Sequence, residues 1–189
     1  MGFSDSNRGN GNTDNGFTPD PANQRLLRDA LGRFGTGVTV VTAITDSGPA
    51  AITVNSFSSV SLTPALVLWS IERSASRHQC FAKADNYSIH VLAWDQESLC
   101  MNVARDPDYF KQSDYRLNRF GVPVFDCLAR FDCTLDTVYP AGDHDIILGR
   151  VQMVIAAGEE APLAFYRGQT GTIIPTSKAS KVRSNPCVR

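Results

Sequence analysis

Gly35-Thr36-Gly37-Val38-Thr39-Val40-Val41-Thr42-Ala43-Ile44-Thr45-Asp46-Ser47-Gly48-Pro49-Ala50-Ala51-Ile52-Thr53-Val54-Asn55-Ser56-Phe57 is the stretch that decides the fold class. From Val38 to Thr45 it is dominated by β-branched residues, whose stiff side chains suit a pleated strand better than a helix. Asp46-Ser47-Gly48-Pro49 is turn chemistry, and Ala50 to Phe57 reads as a second strand, so the two form an antiparallel pair. Ala65 to Ile71 supplies a third. Gly35 and Gly37 form a G-x-G that lacks the third glycine of a dinucleotide fingerprint. It follows a helical pattern and precedes a strand, the reverse of the order that fingerprint needs, and no P-loop pattern occurs in the chain.

On the N-terminal side, Met1 to Phe17 is rich in Gly, Asn, Ser and Asp and has almost nothing to bury, which predicts a mobile tail over residues 1–19. Order is expected from Asp20-Pro21, a cap and first turn for one amphipathic helix carrying Leu26, Leu27, Ala30, Leu31 and Phe34. On the C-terminal side, Ser74 to Ala84 reads as helix, Tyr87 to Leu92 as strand and Gln96 to Ala104 as a further helix. Arg105 to Val122, with Asp106-Pro107 near its start, reads as a long irregular excursion forming a mobile wall of a site. Strands resume at Ala129 to Val138, Ile146 to Ala156 and Leu163 to Tyr166. One domain over 20–171 and a basic C-terminal tail over 172–189 complete the division. Many short strands without alternating βαβ units make the chain mainly β with short helices, a barrel or a sandwich.

With 189 residues, 42% of them apolar, the chain can bury a core without staples. A formal net charge of −1 offers no field to attract nucleic acid or an anionic membrane, so an anionic ligand must be held by local groups. No apolar run approaches the roughly 20 residues of a membrane span, and the first residues lack a signal-peptide core. The five cysteines, Cys80, Cys100, Cys127, Cys133 and Cys187, show no C-x-x-C pair and no zinc-site spacing. They read as reduced thiols in a cytoplasmic protein, and no metal is expected.

Three groups of residues carry candidate chemistry. Thr53-Val54-Asn55-Ser56-Phe57-Ser58-Ser59 is more polar than a half-buried strand needs, which suits a ligand with a phosphate and a polar heterocycle edge, or else a solvated strand entering a Ser-rich turn. In Ser74-Ala75-Ser76-Arg77, Ser74 is a candidate N-cap and the third helical position holds a cation where acids usually sit. That placement opposes the macrodipole unless an anion binds there. His144 lies between Asp143 and Asp145 and reads as a positioning or proton-donating group, or as a turn histidine paired to a neighbouring aspartate. His78 and His90 read as structural, and Trp69 and Trp94 as core or interface aromatics.

Four blocks resemble one family: Gly35 to Thr42; Thr53-Val54-Asn55-Ser56-Phe57-Ser58-Ser59-Val60-Ser61-Leu62-Thr63-Pro64; Asn86 to Leu92 with Gln96; and Gly142-Asp143-His144-Asp145-Ile146-Ile147-Leu148-Gly149-Arg150-Val151. Together they are similar to the flavin reductase-like family with an FMN-binding split β-barrel, over roughly Gln24 to Gly168. The resemblance implies a homodimer with FMN or FAD bound near its interface. It also implies hydride transfer from NADH or NADPH and release of reduced flavin to the oxygenase component of a two-component monooxygenase. It favours flavin binding by Thr53, Val54, Asn55, Ser56, Ser58 and Ser59 and a catalytic role for His144, while the helix-start reading sets Ser74, Ser76 and Arg77, together with Arg73, around the flavin phosphate. No attachment motif for a covalent flavin is present. The chain departs from the family's pattern at Ala51, where glycine is common, and at Thr170, where an aromatic is expected. These departures keep open a non-catalytic flavin-binding module on the same barrel and, more weakly, an oxidase acting directly on a small amine or aromatic.

Overall fold

The computed structural model describes residues 16–112 and 114–175. The tails expected over 1–19 and 172–189 fall mostly outside these residues, as does Cys187. Helix α1 (Gln24–Leu31) opens the ordered chain. It starts later than the sequence suggests because Asp20 Oδ1 accepts the N–H groups of Ala22 and Asn23, which closes a separate turn ahead of the helix.

The strand pair read from the opening stretch is present as β1 (Thr36–Gly37), β2 (Thr39–Thr45) and β3 (Gly48–Val54), with β2 and β3 joined by a two-residue turn. Then come β4 (Ser58–Leu62), β5 (Ala65–Glu72), α2 (His78–Ala82), β6 (Asn86–Val91) and α3 (Glu97–Arg105). The excursion is more structured than predicted. It holds a 3-10 turn at Tyr109–Gln112 and a small hairpin of β7 (Arg116–Leu117) with β8 (Pro123–Val124). Two 13-residue strands follow, β9 (Ala129–Ala141) and β10 (His144–Ala156), then β11 (Leu163–Tyr166) and β12 (Gln169–Thr172).

Seven strands form one antiparallel sheet in the order β3-β2-β6-β9-β10-β5-β4. Its two edges, β3 and β4, are consecutive in sequence and separated only by Asn55–Phe57, so the sheet must curl until its edges approach. Ser56 fastens the gap: its hydroxyl donates to Ser70 O on β5 (3.2 Å) and accepts from Ser70 N (2.9 Å). The interior is filled by Trp69, Tyr87, Phe81, Ile71, Ile89, Val41 and Ile147. A second apolar layer, Val38, Val40, Ala51, Leu92, Cys100, Val103, Phe110 and Leu163, packs α3 and the excursion onto the barrel. Because β2 lies between both layers, Thr39 to Ala43 are all buried, and the strand reads as a continuous apolar run with little alternation.

Gly149 on β10 leaves room for a buried ring: a Cβ there would stand 1.9 Å from the Tyr87 hydroxyl. Cys80, Cys100, Cys127 and Cys133 are all free thiols. Burial pushes Cys133 up to about 12 and Cys127 up to about 11, so both carry their proton at neutral pH. His90 is fully buried, stacks on Phe125 at 4.1 Å and has its pKa lowered by burial to about 3, as befits a structural imidazole. Trp69 lies in the core, whereas Trp94 is exposed. No helix among the described residues is long and apolar enough to cross a membrane, and these residues hold no cluster of metal-ligating side chains.

Candidate active site

The polar segment leaving β3 divides into residues that build the frame and residues that face solvent. Thr53 donates its hydroxyl to Cys100 O on α3 (2.9 Å), Val54 is buried in the core and Ser56 is committed to Ser70. Asn55, Ser58 and Ser59 are exposed, and the Ser58 hydroxyl donates to its neighbour Ser59 O. Since β4 is an edge strand, one row of its backbone N–H and C=O groups is free of sheet bonding. Exposed hydroxyls on an unpaired edge match a ring edge that both donates and accepts hydrogen bonds.

The helix expected from Ser74 begins only at His78. Instead, residues 73–77 form two consecutive tight turns, closed by Ala75 N to Glu72 O (3.1 Å) and His78 N to Ala75 O (2.9 Å). One tertiary and one local bond outcompete helix propensity here: Arg73 N is held by Asp143 O (2.9 Å), and the Ser74 hydroxyl bonds the nearby Glu72 carboxylate in place of capping. Arg77 therefore occupies the position just before α2, and with so short a helix the macrodipole argument lapses. What the turn offers an anion is direct. The backbone N–H groups of Ser74, Ser76 and Arg77 have no partner among the described residues, and Ser76 is exposed.

Arg77 Nη1 donates to Ala51 O (2.5 Å) and Val103 O (2.8 Å), tying the turn to β3 and α3. Its other guanidinium donors have no partner among the described residues. Burial lowers its pKa while Asp106 and Asp108 oppose that shift, and a guanidinium stays charged regardless. The methyl of Ala51, the first departure from the family pattern, packs in the second core layer. Thr170, the other departure, sits on β12 and bonds the Glu97 carboxylate at the start of α3.

His144 opens β10 directly across the ladder from Glu72, and the Arg73–Asp143 backbone bond sets it beside the turn. Its Nδ1 bonds Asp143 Oδ1 at 2.7 Å, and that bond holds the Asp143 carboxyl below its usual range. The structure thus gathers Ser74, Ser76, Arg77 and His144 at one end of the β5–β10 pair, with Asn55, Ser58 and Ser59 along the adjoining edge. Asp145, read from sequence only as a neighbour of His144, has a role of its own. It is nearly buried, receives Arg73 through Nε (2.8 Å) and Nη2 (2.7 Å), and bonds His78 Nε2 (2.8 Å). Strand alternation in Asp143-His144-Asp145 was the available clue, since it must send His144 and Asp145 to opposite faces.

Cavities of about 670 Å³ beside α1 and about 590 Å³ beside the 3-10 turn open elsewhere, and none of the residues just described lines either one. The gathered residues form an open face. Its donor set, free amides with a half-satisfied guanidinium at one end and an unpaired polar edge along the other, fits a flavin that carries a phosphate.

Comparison with known proteins agrees. Residues 31–173 match the model of the "Flavin reductase like domain" family. FMN reductase (NADH) SmoA of Agrobacterium fabrum is 48% identical over 156 residues, spanning 82% of this chain and 89% of the relative. The reductase subunit HsaB of a flavin-dependent monooxygenase from Rhodococcus jostii is 36% identical, spanning 86% and 84%. Among solved structures, the NADH:FAD oxidoreductase SgcE6 of Streptomyces globisporus, in complex with NAD and FAD fragments, superposes with a TM-score of 0.78. It is 32% identical over 86% of this chain and 99% of that one. The curled sheet closed by Ser56, the polar edge and the match across 31–173 lead to one assignment: the chain belongs to the flavin reductase-like family, with a barrel of the split type.

Proposed function

We propose that the chain is an NAD(P)H:flavin oxidoreductase that reduces FMN or FAD and hands the reduced flavin to a separate oxygenase. The observation that carries this reading is the turn 73–77, whose unpaired amides lie beside His144 and one strand from the polar edge. The hydride passes from nicotinamide to flavin ring, which the two cofactors accomplish between themselves once aligned. The chain's part is to hold them. Ser74, Ser76 and Arg77 take the phosphate end, the exposed Asn55, Ser58 and Ser59 line the ring's edge on the frame that Thr53, Val54 and Ser56 hold, and His144 positions the nicotinamide or supplies a proton. The names of SmoA and HsaB support NADH as donor and an oxygenase as recipient. The free thiols support a cytoplasmic setting.

Purified protein is expected to oxidise NADH under air only when a flavin is added, with NADPH the poorer donor; flavin-independent oxidation, or none, overturns the reading. His144→Ala is expected to lower kcat/KM for NADH about ten- to a hundredfold while leaving flavin binding intact, because misplacing one reactant is costly even when both still bind. Full turnover in this variant removes His144 from the reaction.

We also infer a homodimer that covers the exposed apolar face of α1. Leu26, Leu31 and Phe34 are 52%, 65% and 78% exposed on and just after α1, and Tyr166 beside them is 51% exposed. An amphipathic helix whose apolar face stays uncovered needs a partner, and a second copy supplies one. Leu31→Glu with Phe34→Glu is expected to shift the protein from dimer to monomer in sedimentation equilibrium; a wild-type monomer refutes the inference.

A further inference from the structure

We propose that Asp145 is the positioning residue that gives this protein its preference for phosphate-bearing flavins over riboflavin, by fastening both ends of the turn 73–77 with one carboxylate. The inference rests on the flavin-binding part of the proposed function.

Asp145 Oδ1 holds the guanidinium of Arg73, the first residue of the turn, at 2.7 and 2.8 Å. Its Oδ2 holds His78, the residue that follows the turn, at 2.8 Å. The distance between the two ends is thereby set from one rigid point, because Asp145 sits in the β10 ladder opposite Ile71 and is 9% exposed. Four residues between fixed ends have little freedom, and the conformation they keep leaves the amides of Ser74, Ser76 and Arg77 without partners among the described residues. An unpaired, inflexible set of N–H groups is a preorganised anion cradle: binding need not supply the entropy of ordering it. The hydrogen bond from Arg73 and then that from His78 hold the Asp145 carboxyl below its usual range, so it stays an ionised acceptor for both.

The Arg73 guanidinium is thereby engaged by Asp145. With its charge taken up by Asp145, it acts through the turn it anchors and not as a phosphate ligand. A ring that lacks a phosphate uses the β4 edge alone and gains nothing from the cradle. The device thus makes a specific demand: loosening the turn must penalise FMN and spare riboflavin.

The test is fluorescence titration of FMN and of riboflavin against wild-type protein and Asp145→Asn, with Arg73→Gln and His78→Asn, each releasing one end, as separate variants. Wild type should bind FMN more tightly than riboflavin. In Asp145→Asn the ratio of Kd for FMN to Kd for riboflavin should rise about tenfold, the loss of roughly one charge-assisted bond's worth of preorganised contact. If Asp145→Asn does not fold, the single-end variants must each raise the ratio. A ratio that stays at the wild-type value overturns the proposal, whether both affinities fall together or neither changes, and so does a wild type that binds both flavins equally. Because the readout is binding, failure of NADH oxidation counts against the reductase reading and leaves this result separate.

Discussion

Asp132→Ala is expected to cost about 3–5 kcal/mol of stability, the penalty for removing one partner from a buried ion pair. Asp132 is fully buried on β9 and accepts from Arg130 through Nε (2.9 Å) and Nη2 (3.3 Å), and from the Ser88 hydroxyl (2.7 Å). Ser88 in turn accepts from Asn118 Nδ2 (3.2 Å), and Asn118 Oδ1 caps the amides of Phe120 and Val122 at 2.9 Å. Removing the carboxylate leaves the Arg130 charge nearly buried and unpaired and frees the bond that pins the β7–β8 hairpin. Denaturant unfolding should show a midpoint shift of the stated size, and limited proteolysis should cut near residues 114–121 faster than in wild type. A loss under about 1 kcal/mol, typical of exposed pairs, contradicts the assignment.

Arg77→Ala is expected to weaken FMN binding about tenfold or more and to lower stability by about 2–3 kcal/mol, because the side chain serves two structures at once. Its Nη1 bonds to Ala51 O and Val103 O join β3 to α3, and the Ala51 carbonyl is buried where water cannot replace the lost donor. The unpartnered donors on the other side of the guanidinium are the share left for a phosphate. Arg77→Lys keeps the charge but cannot bridge two carbonyls and still face an anion, so it should recover little of either effect. Flavin titration and a thermal scan separate the two losses; a destabilised variant with wild-type FMN affinity removes Arg77 from the site.

The barrel was legible in the sequence where local chemistry and period agreed. Val38 to Thr45, the Asp-Ser turn and Ala50 onward announced a hairpin, and the structure contains it. Residues 36–37 and 169–172 were missed because strands so short, with glycine in each, carry no period; they exist by pairing with β11. Helix was overread at 74–77 because propensity there is real but is overridden by Asp143, Asp145 and Glu72. These partners are remote or nearly invisible in a one-dimensional pattern: Asp145 and His78 are 67 positions apart, joined only by the β5–β10 ladder. For the same reason, sequence named Thr53 and Ser56 for their polarity, whereas their hydroxyls hold the frame and leave the exposed Asn55, Ser58 and Ser59 beside them.

The most direct measurement is anaerobic: a trace of protein is mixed with a large excess of FMN and of NADH, and the visible absorbance of oxidised flavin is followed. A releasing reductase bleaches the whole FMN pool over many turnovers, since reduced flavin leaves and the open site refills. Bleaching that stops at one flavin per site, or no bleaching despite FMN binding, would mean that the chain keeps its flavin and is not a supplier of reduced flavin.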